Sequence, residues 1–234
     1  MKDKIIIYHG SINVIEKPIY GVGKPYNDYG LGFYTTEDLE LAKEWAVEET
    51  QSGFTNKYEL DLSDLKILDL TNANALDWIS ILVENRYFDL KSDVAKAGKD
   101  FILKNNSLEY AKYDIIIGYR ADDSYFMYAS DFLNNSLSIS SLEKALKLGN
   151  LGTQIVIKSE KAFSKLKFIG YEKADNNIYF PLRQKRNIEA KNKYLLERGK
   201  FNPNDIFLSD IIKGGLEKWY THMMIIIFQK IKGS

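Results

Sequence analysis

The sequence predicts an α+β fold. Three observations carry that reading. Short β-branched runs at 4–8, 113–119 and 153–158 have the length and character of strands. Between them lie stretches whose apolar residues recur at helical spacing, such as Leu39, Ala42, Trp45 and Ala46. The order of strands and helices lacks the regular alternation of a doubly wound parallel sheet.

The elements follow in order. Residues 4–8 form a strand that runs into His9-Gly10-Ser11. A loop at 16–32 holds Pro18, Gly21, Gly23, Pro25, Asn27, Asp28, Gly30 and Gly32. Phe33-Tyr34 leads into a helix that Thr35 or Thr36 caps, with Glu37 and Asp38 at the positive end of its dipole. Strands are expected at 57–62 and 66–70 around a Ser63-Asp64 turn, then helices at about 74–86 and 90–105. Ile115, Ile116 and Ile117 are consecutive and β-branched, so 113–119 reads as a strand buried on both faces. Asp122-Asp123-Ser124 marks a helix start. Ser140 and Glu143 have capping-box spacing for another helix, which Gly149 ends. Strands follow at 153–158, 165–170 and 178–182. From 183 to 200 cations dominate, with only Glu189 and Glu197 against Arg183, Lys185, Arg186, Lys191, Lys193, Arg198 and Lys200. That stretch reads as a solvated face or a docking surface for an acidic macromolecule. A last helical pattern reaches about 228, through Trp219, Tyr220 and the apolar run 223–228. A boundary falls near 175, dividing 1–175 from a helical, partly basic extension at 176–234.

Composition narrows the chemistry. The 234 residues include 32 Lys plus Arg and 32 Asp plus Glu, a formal net charge of zero. No global field draws the chain to nucleic acid or anionic lipid. There is no cysteine and there are two histidines, His9 and His222, so disulfides, thiolate nucleophiles and Cys-bearing zinc sites are excluded. An HExxH helix is excluded and EF-hand spacing is absent, which leaves open a Mg²⁺ or Ca²⁺ held by carboxylates, though no metal site is assigned. The glycine loop is not a dinucleotide fingerprint, because Gly21-x-Gly23 and Gly30-x-Gly32 meet Tyr26 and Thr35 where a third glycine belongs. The apolar runs at 5–7 and 223–228 are too short for a signal peptide or a membrane span. The chain reads as soluble and cytoplasmic.

Three segments stand together: Tyr8-His9-Gly10-Ser11 at a strand end, Gly30-Leu31-Gly32-Phe33-Tyr34 before a helix bearing Trp45, and Gly152-Thr153-Gln154-Ile155 opening a late strand. In this order the sequence resembles the ADP-ribosyltransferase superfamily, in its diphtheria-toxin and poly(ADP-ribose) polymerase branch with a His-Tyr-Glu triad. It is similar above all to small bacterial domains of unknown function assigned there. Those also carry a segment like 113–118 followed by Ala121-Asp122-Asp123. The resemblance covers about residues 4–171.

It implies a split β-sandwich of ADP-ribosyltransferase type with flanking helices and a helical C-terminal extension. It also implies NAD as substrate. His9 would bond the adenosine ribose, with Ser11 beside it in the NAD site, and Gly10 would hold the nicotinamide amide through its backbone, where a side chain would obstruct. Tyr34 would stack on the nicotinamide ring, with Trp45 on the other face. Phe33 and Thr35 would point away from that site. The triad glutamate falls on Gln154. An amide keeps an acceptor oxygen but lacks the charge that steadies a cationic ribose, and it is no base toward an acceptor hydroxyl. Polymerisation is therefore not expected. Asp122 and Asp123 are candidates for the missing carboxylate.

The implied activity is mono-ADP-ribosyl transfer to a protein or nucleic acid, as in bacterial toxins and defence effectors that are held by an antitoxin partner. The alternatives are an NAD glycohydrolase, a non-catalytic NAD or ADP-ribose-binding module, and an interaction protein working through its late basic stretch. Taken singly, His9 also reads as a strand-end residue, Tyr34 and Trp45 as core aromatics, and Gln154 as a solvent-facing strand residue.

Overall fold

A computed structural model describes residues 3–120, 123–148, 152–198 and 203–214. In chain order its elements are β1 (Lys4–Ser11), β2 (Phe33–Thr35), α1 (Leu39–Ala46), β3 (Gly53–Asp61), β4 (Ile67–Asp69), α2 (Ala75–Asn85), α3 (Asp93–Asn105), β5 (Ile115–Tyr119), α4 (Asp123–Leu133), α5 (Ile139–Leu148), β6 (Thr153–Ile157), α6 (Glu160–Ser164), β7 (Leu166–Ala174) and α7 (Asn176–Arg198). A 3₁₀ turn spans Tyr110–Lys112, and 208–214 is helical. The chain is thus α+β.

Two sheets organise it. The first is antiparallel in the order β1-β3-β7, and the second runs β2-β6-β5-β4, with β4 and β5 parallel and the other pairs antiparallel. A bridge between Tyr8 and Thr36 joins them, each backbone N–H donating to the other's carbonyl. Ile7, Tyr58 and Leu60 of the first sheet share a buried cluster with Phe33, Ile115, Ile155 and Ile157 of the second. The other face of the second sheet contributes Ile116 and Val156 to a larger core with α2, α4, α5 and α7. Consecutive isoleucines of β5 therefore serve opposite cores, as the run of three predicted.

Several local expectations shift by a few residues. Helix α1 is capped by Asp38, whose carboxylate accepts from Leu41 N at 3.0 Å, and not by Thr35 or Thr36. Thr35 is committed to β2 and Thr36 to the bridge. For α5, Ser138 Oγ takes the N–H of Ser141, so Ser140 lies inside the helix. The strand expected at 178–182 is the first part of α7. Its apolar residues read as β locally, but Ala190 and Tyr194 of the same helix are buried in the larger core, and that long-range packing decides. Asp122, Gly149 and the C-terminal pattern with Trp219, Tyr220, His222 and 223–228 lie outside the described residues, and of Asp123 only the backbone is described. No helix among the described residues is long and apolar enough to cross a membrane.

Helix α7 is fastened to α1 by an ion pair. Arg186 donates from Nε and Nη2 to the two carboxylate oxygens of Glu44, at 2.9 and 2.7 Å. Glu44 is buried, so this forked pairing is what makes its charge tolerable there.

Candidate functional site

The bridge between the sheets brings the ends of β1, β2 and β6 to one place. A cavity of about 760 Å³ opens there. His9 and Gly10 reach it from β1, Tyr34 from β2, Trp45 from α1 and Gln154 from β6. Ser11 does not line it; the Ser11 hydroxyl accepts from Asn13 N at 3.2 Å. The volume lies in the ordinary range for small-molecule sites, roughly 300–1,000 Å³.

His9 is fixed by two neighbours. Its Nδ1 lies 2.7 Å from the Tyr34 carbonyl, and its ring lies tilted against Phe33, with centroids 4.3 Å apart. A carbonyl only accepts, so Nδ1 carries the hydrogen and Nε2 is left as the acceptor of the neutral ring. Burial pushes the imidazole pKa below its ordinary value, and the Tyr34 bond only partly opposes this. The ring is therefore neutral at pH 7.

Gly10 has a packing reason beside any binding role. A Cβ there would stand 2.2 Å from Ala42 O and 2.7 Å from Ala46 N, so β1 reaches α1 only without a side chain. Tyr34 alternates along β2 with the buried Phe33 and Thr35, but Phe33 does not point away from the site: it lines the same cavity, beside His9. Its hydroxyl donates to Gly30 O at 2.6 Å and accepts from Tyr29 N at 3.1 Å. Tyr34 thus clips the glycine-rich loop as well as lining the cavity, and burial raises its pKa. Trp45 carries the Arg120 guanidinium 4.6 Å from its ring. Its Nε1 is buried without a hydrogen-bond partner among the described residues.

Gln154 is 3 % exposed, so it is no solvent-facing strand residue. Its Nε2 donates to Asp28 Oδ2 at 2.8 Å and, more weakly, to Tyr119 O at 3.4 Å. A carboxylate beside it requires the NH₂ on that side, so the amide orientation is settled chemically. Asp28 is itself buried, and its Oδ1 accepts from Arg86 Nη1 at 2.9 Å. The carboxylate of this site therefore comes from the glycine-rich loop.

Four cations line the cavity: Lys17, Arg86, Arg120 and Arg183. Arg183 and Asn187 come from α7, so part of the basic stretch is wall rather than solvated face. Arg183 is held by Val47 O at 2.9 Å and lies over Phe180. Arg86 and Arg120 were not singled out by sequence reasoning, which met Asp28 only as loop punctuation and Arg183 only as part of the basic stretch. Among the described residues no cluster of His, Asp and Glu could hold a metal ion.

The loop that carries Asp28 is pinned from both sides. Lys158 Nζ donates to the Tyr29 and Leu31 carbonyls. Asn56, fully buried in β3, accepts from Ile15 N and donates to Asn13 O.

No curated protein and no solved structure matches the chain. A family described as "Protein of unknown function (DUF3990)" matches residues 5–168, from β1 into β7. That span holds every cavity residue named above except Arg183 and Asn187. By this match over most of its length, the chain belongs to the DUF3990 family.

Proposed function

We propose that the chain is an NAD⁺-dependent mono-ADP-ribosyltransferase that modifies a macromolecule, protein or nucleic acid, on a split β-sandwich of ADP-ribosyltransferase type. The observation that carries this reading is the single cavity lined by His9, Gly10, Tyr34, Trp45 and Gln154. The residues fit NAD⁺ in kind. A neutral His9 offers Nε2 to a ribose hydroxyl. Tyr34 and Trp45 offer aromatic surface to a flat cationic ring. Lys17, Arg120 and Arg183 suit a diphosphate. NAD⁺ brings its own leaving group, so the protein's work is to bind, orient and steady growing positive charge at the ribose. Gln154 lacks a basic carboxylate for activating a sugar hydroxyl, which favours one transfer over chain growth.

The test incubates pure protein with NAD⁺ labelled in its adenylate half and a cell lysate. Nicotinamide release with label entering protein or nucleic acid is the expected result, lost in His9→Ala. Release without labelling identifies a glycohydrolase. A bacterial toxin of this kind arrests growth when expressed, and His9→Ala relieves the arrest. One observation favours a second reading, a non-catalytic NAD or ADP-ribose-binding module: residue 154 is a neutral amide already bonded to protein. That reading predicts NAD⁺ binding with no nicotinamide under any condition.

A further inference from the structure

We infer that Asp28, acting through Gln154, supplies the negative charge of the site, so that the two residues together do the work of one carboxylate. This rests on the ADP-ribosyl-transfer reading above. The Gln154 amide nitrogen is engaged by two protein acceptors, Asp28 Oδ2 at 2.8 Å and, more weakly, Tyr119 O at 3.4 Å. The hydrogen-bonding group that Gln154 has left is its acceptor oxygen, Oε1. An amide whose N–H donates to a carboxylate is polarised toward a more negative oxygen, and a poorly hydrated site strengthens this. Gln154 thereby presents what a glutamate presents, an electron-rich acceptor, while the formal charge sits one hydrogen bond behind it.

Arg86 pairs with the other carboxylate oxygen, Oδ1, and its side chain is 31 % exposed against 8 % for Asp28, so solvent partly screens that pairing while Oδ2 stays bonded to the Gln154 amide. Arg86 also lies over Phe126, 5.0 Å from the ring centre. Asp28 lines the same cavity as Gln154. In the reaction, the bond between nicotinamide nitrogen and the anomeric carbon breaks with its electron pair leaving on nicotinamide. The acceptor's oxygen or nitrogen, or that of water, bonds the anomeric carbon and its proton passes to solvent. Asp28 and Gln154 exchange no proton. Asp28 is a positioning and polarising residue, and Gln154 is the one that faces the ligand.

The experiment compares the full chain with Asp28→Asn and with the exchange variant Asp28→Asn/Gln154→Glu, in which the hydrogen bond is kept in reverse and the charge moves to 154. NAD⁺ affinity and nicotinamide release are measured for each. Asp28→Asn is expected to slow release about 100-fold, the order lost with one electrostatic stabiliser. NAD⁺ affinity should stay within about threefold, a split between rate and binding that a merely structural tie would not give. The exchange variant should recover most of the rate. Release by Asp28→Asn at the wild-type rate overturns the inference and leaves the transferase reading standing. Wild-type protein that binds NAD⁺ and releases no nicotinamide overturns both. If circular dichroism shows Asp28→Asn unfolded, the folded exchange variant decides: a near-native rate supports the inference, and a 100-fold loss overturns it.

Discussion

Gln154 Nε2 donates to Asp28 Oδ2 at 2.8 Å, tying the start of β6 to the glycine-rich loop. This bond changes what Gln154→Glu does. Read from the sequence alone, the substitution restores a triad and raises NAD⁺ hydrolysis. Beside Asp28 it instead sets two carboxylates in contact, which cannot both ionise cheaply. The variant is expected to lose about 2–3 kcal/mol of stability at pH 7.5, the scale of a lost charged hydrogen bond. The pair's affinity for one proton rises on folding, so the folded state binds more protons than the unfolded one. Stability then returns as pH falls toward 5. Denaturant melts of wild type and variant at both pH values check this, and equal losses at both would refute it.

Gly10→Ala tests the packing of β1 on α1. The new methyl meets the Ala42 carbonyl at 2.2 Å, and backbone atoms cannot swing aside as a flexible side chain would. Overpacking of this kind costs about 1–3 kcal/mol. Because Gly10 and Trp45 both line the cavity, NAD⁺ affinity should fall with stability in the same variant. Calorimetric titration together with thermal melting reads both effects.

What was legible in the sequence was local. The isoleucine run of β5 and the helix α2 each announce themselves within a few residues, and the strand read at 4–8 is there as well, though β1 runs on through Ser11. Tyr34 and Gln154, which lie within β2 and β6, were picked out by the resemblance of their segments to a known family and not by a strand boundary. Asp28 and Arg86 were not, since their bonds span 126 and 58 residues and leave no periodic trace. The same holds for α7. Its opening Ile178-Tyr179-Phe180 looks like a strand, and only long-range partners, the core around Ala190 and Tyr194 and the buried Glu44 on α1, explain why a helix lies there. Charge composition misleads in the same way, because a basic run shows its count and not which members face inward.

Arg186→Met isolates that fastening. Removing the guanidinium strands the Glu44 carboxylate, which is 3 % exposed, without its forked partner. Breaking a buried pair from one side costs about 3–5 kcal/mol. The double variant Glu44→Leu/Arg186→Met removes both charges and should recover most of that loss. Since α7 carries Arg183 and Asn187 into the cavity, the single variant should also weaken NAD⁺ binding. Urea melts of the two variants read the first effect. A double variant no more stable than the single one would count against an uncompensated Glu44 charge.

His9 makes the fold sensitive to mild acid. Burial lowers its pKa in the folded chain, whereas the unfolded chain keeps the ordinary value near 6.5. Between the depressed value and about 6.5 the unfolded state binds more protons, so stability falls as pH falls. The contribution is complete above about 6.5 and is lost as His9 becomes charged. His9→Gln keeps a neutral polar side chain and removes this titration. Its melting temperature should therefore fall less than that of wild type between pH 7.5 and 5.5. His222 and every carboxylate are common to both proteins, so the difference between the two curves belongs to His9. Parallel curves across that interval would mean that the ring is not held neutral by its burial against Phe33. A neutral ring is also what a ribose hydroxyl needs as its acceptor, so NAD⁺ affinity should decline over the same interval in wild type.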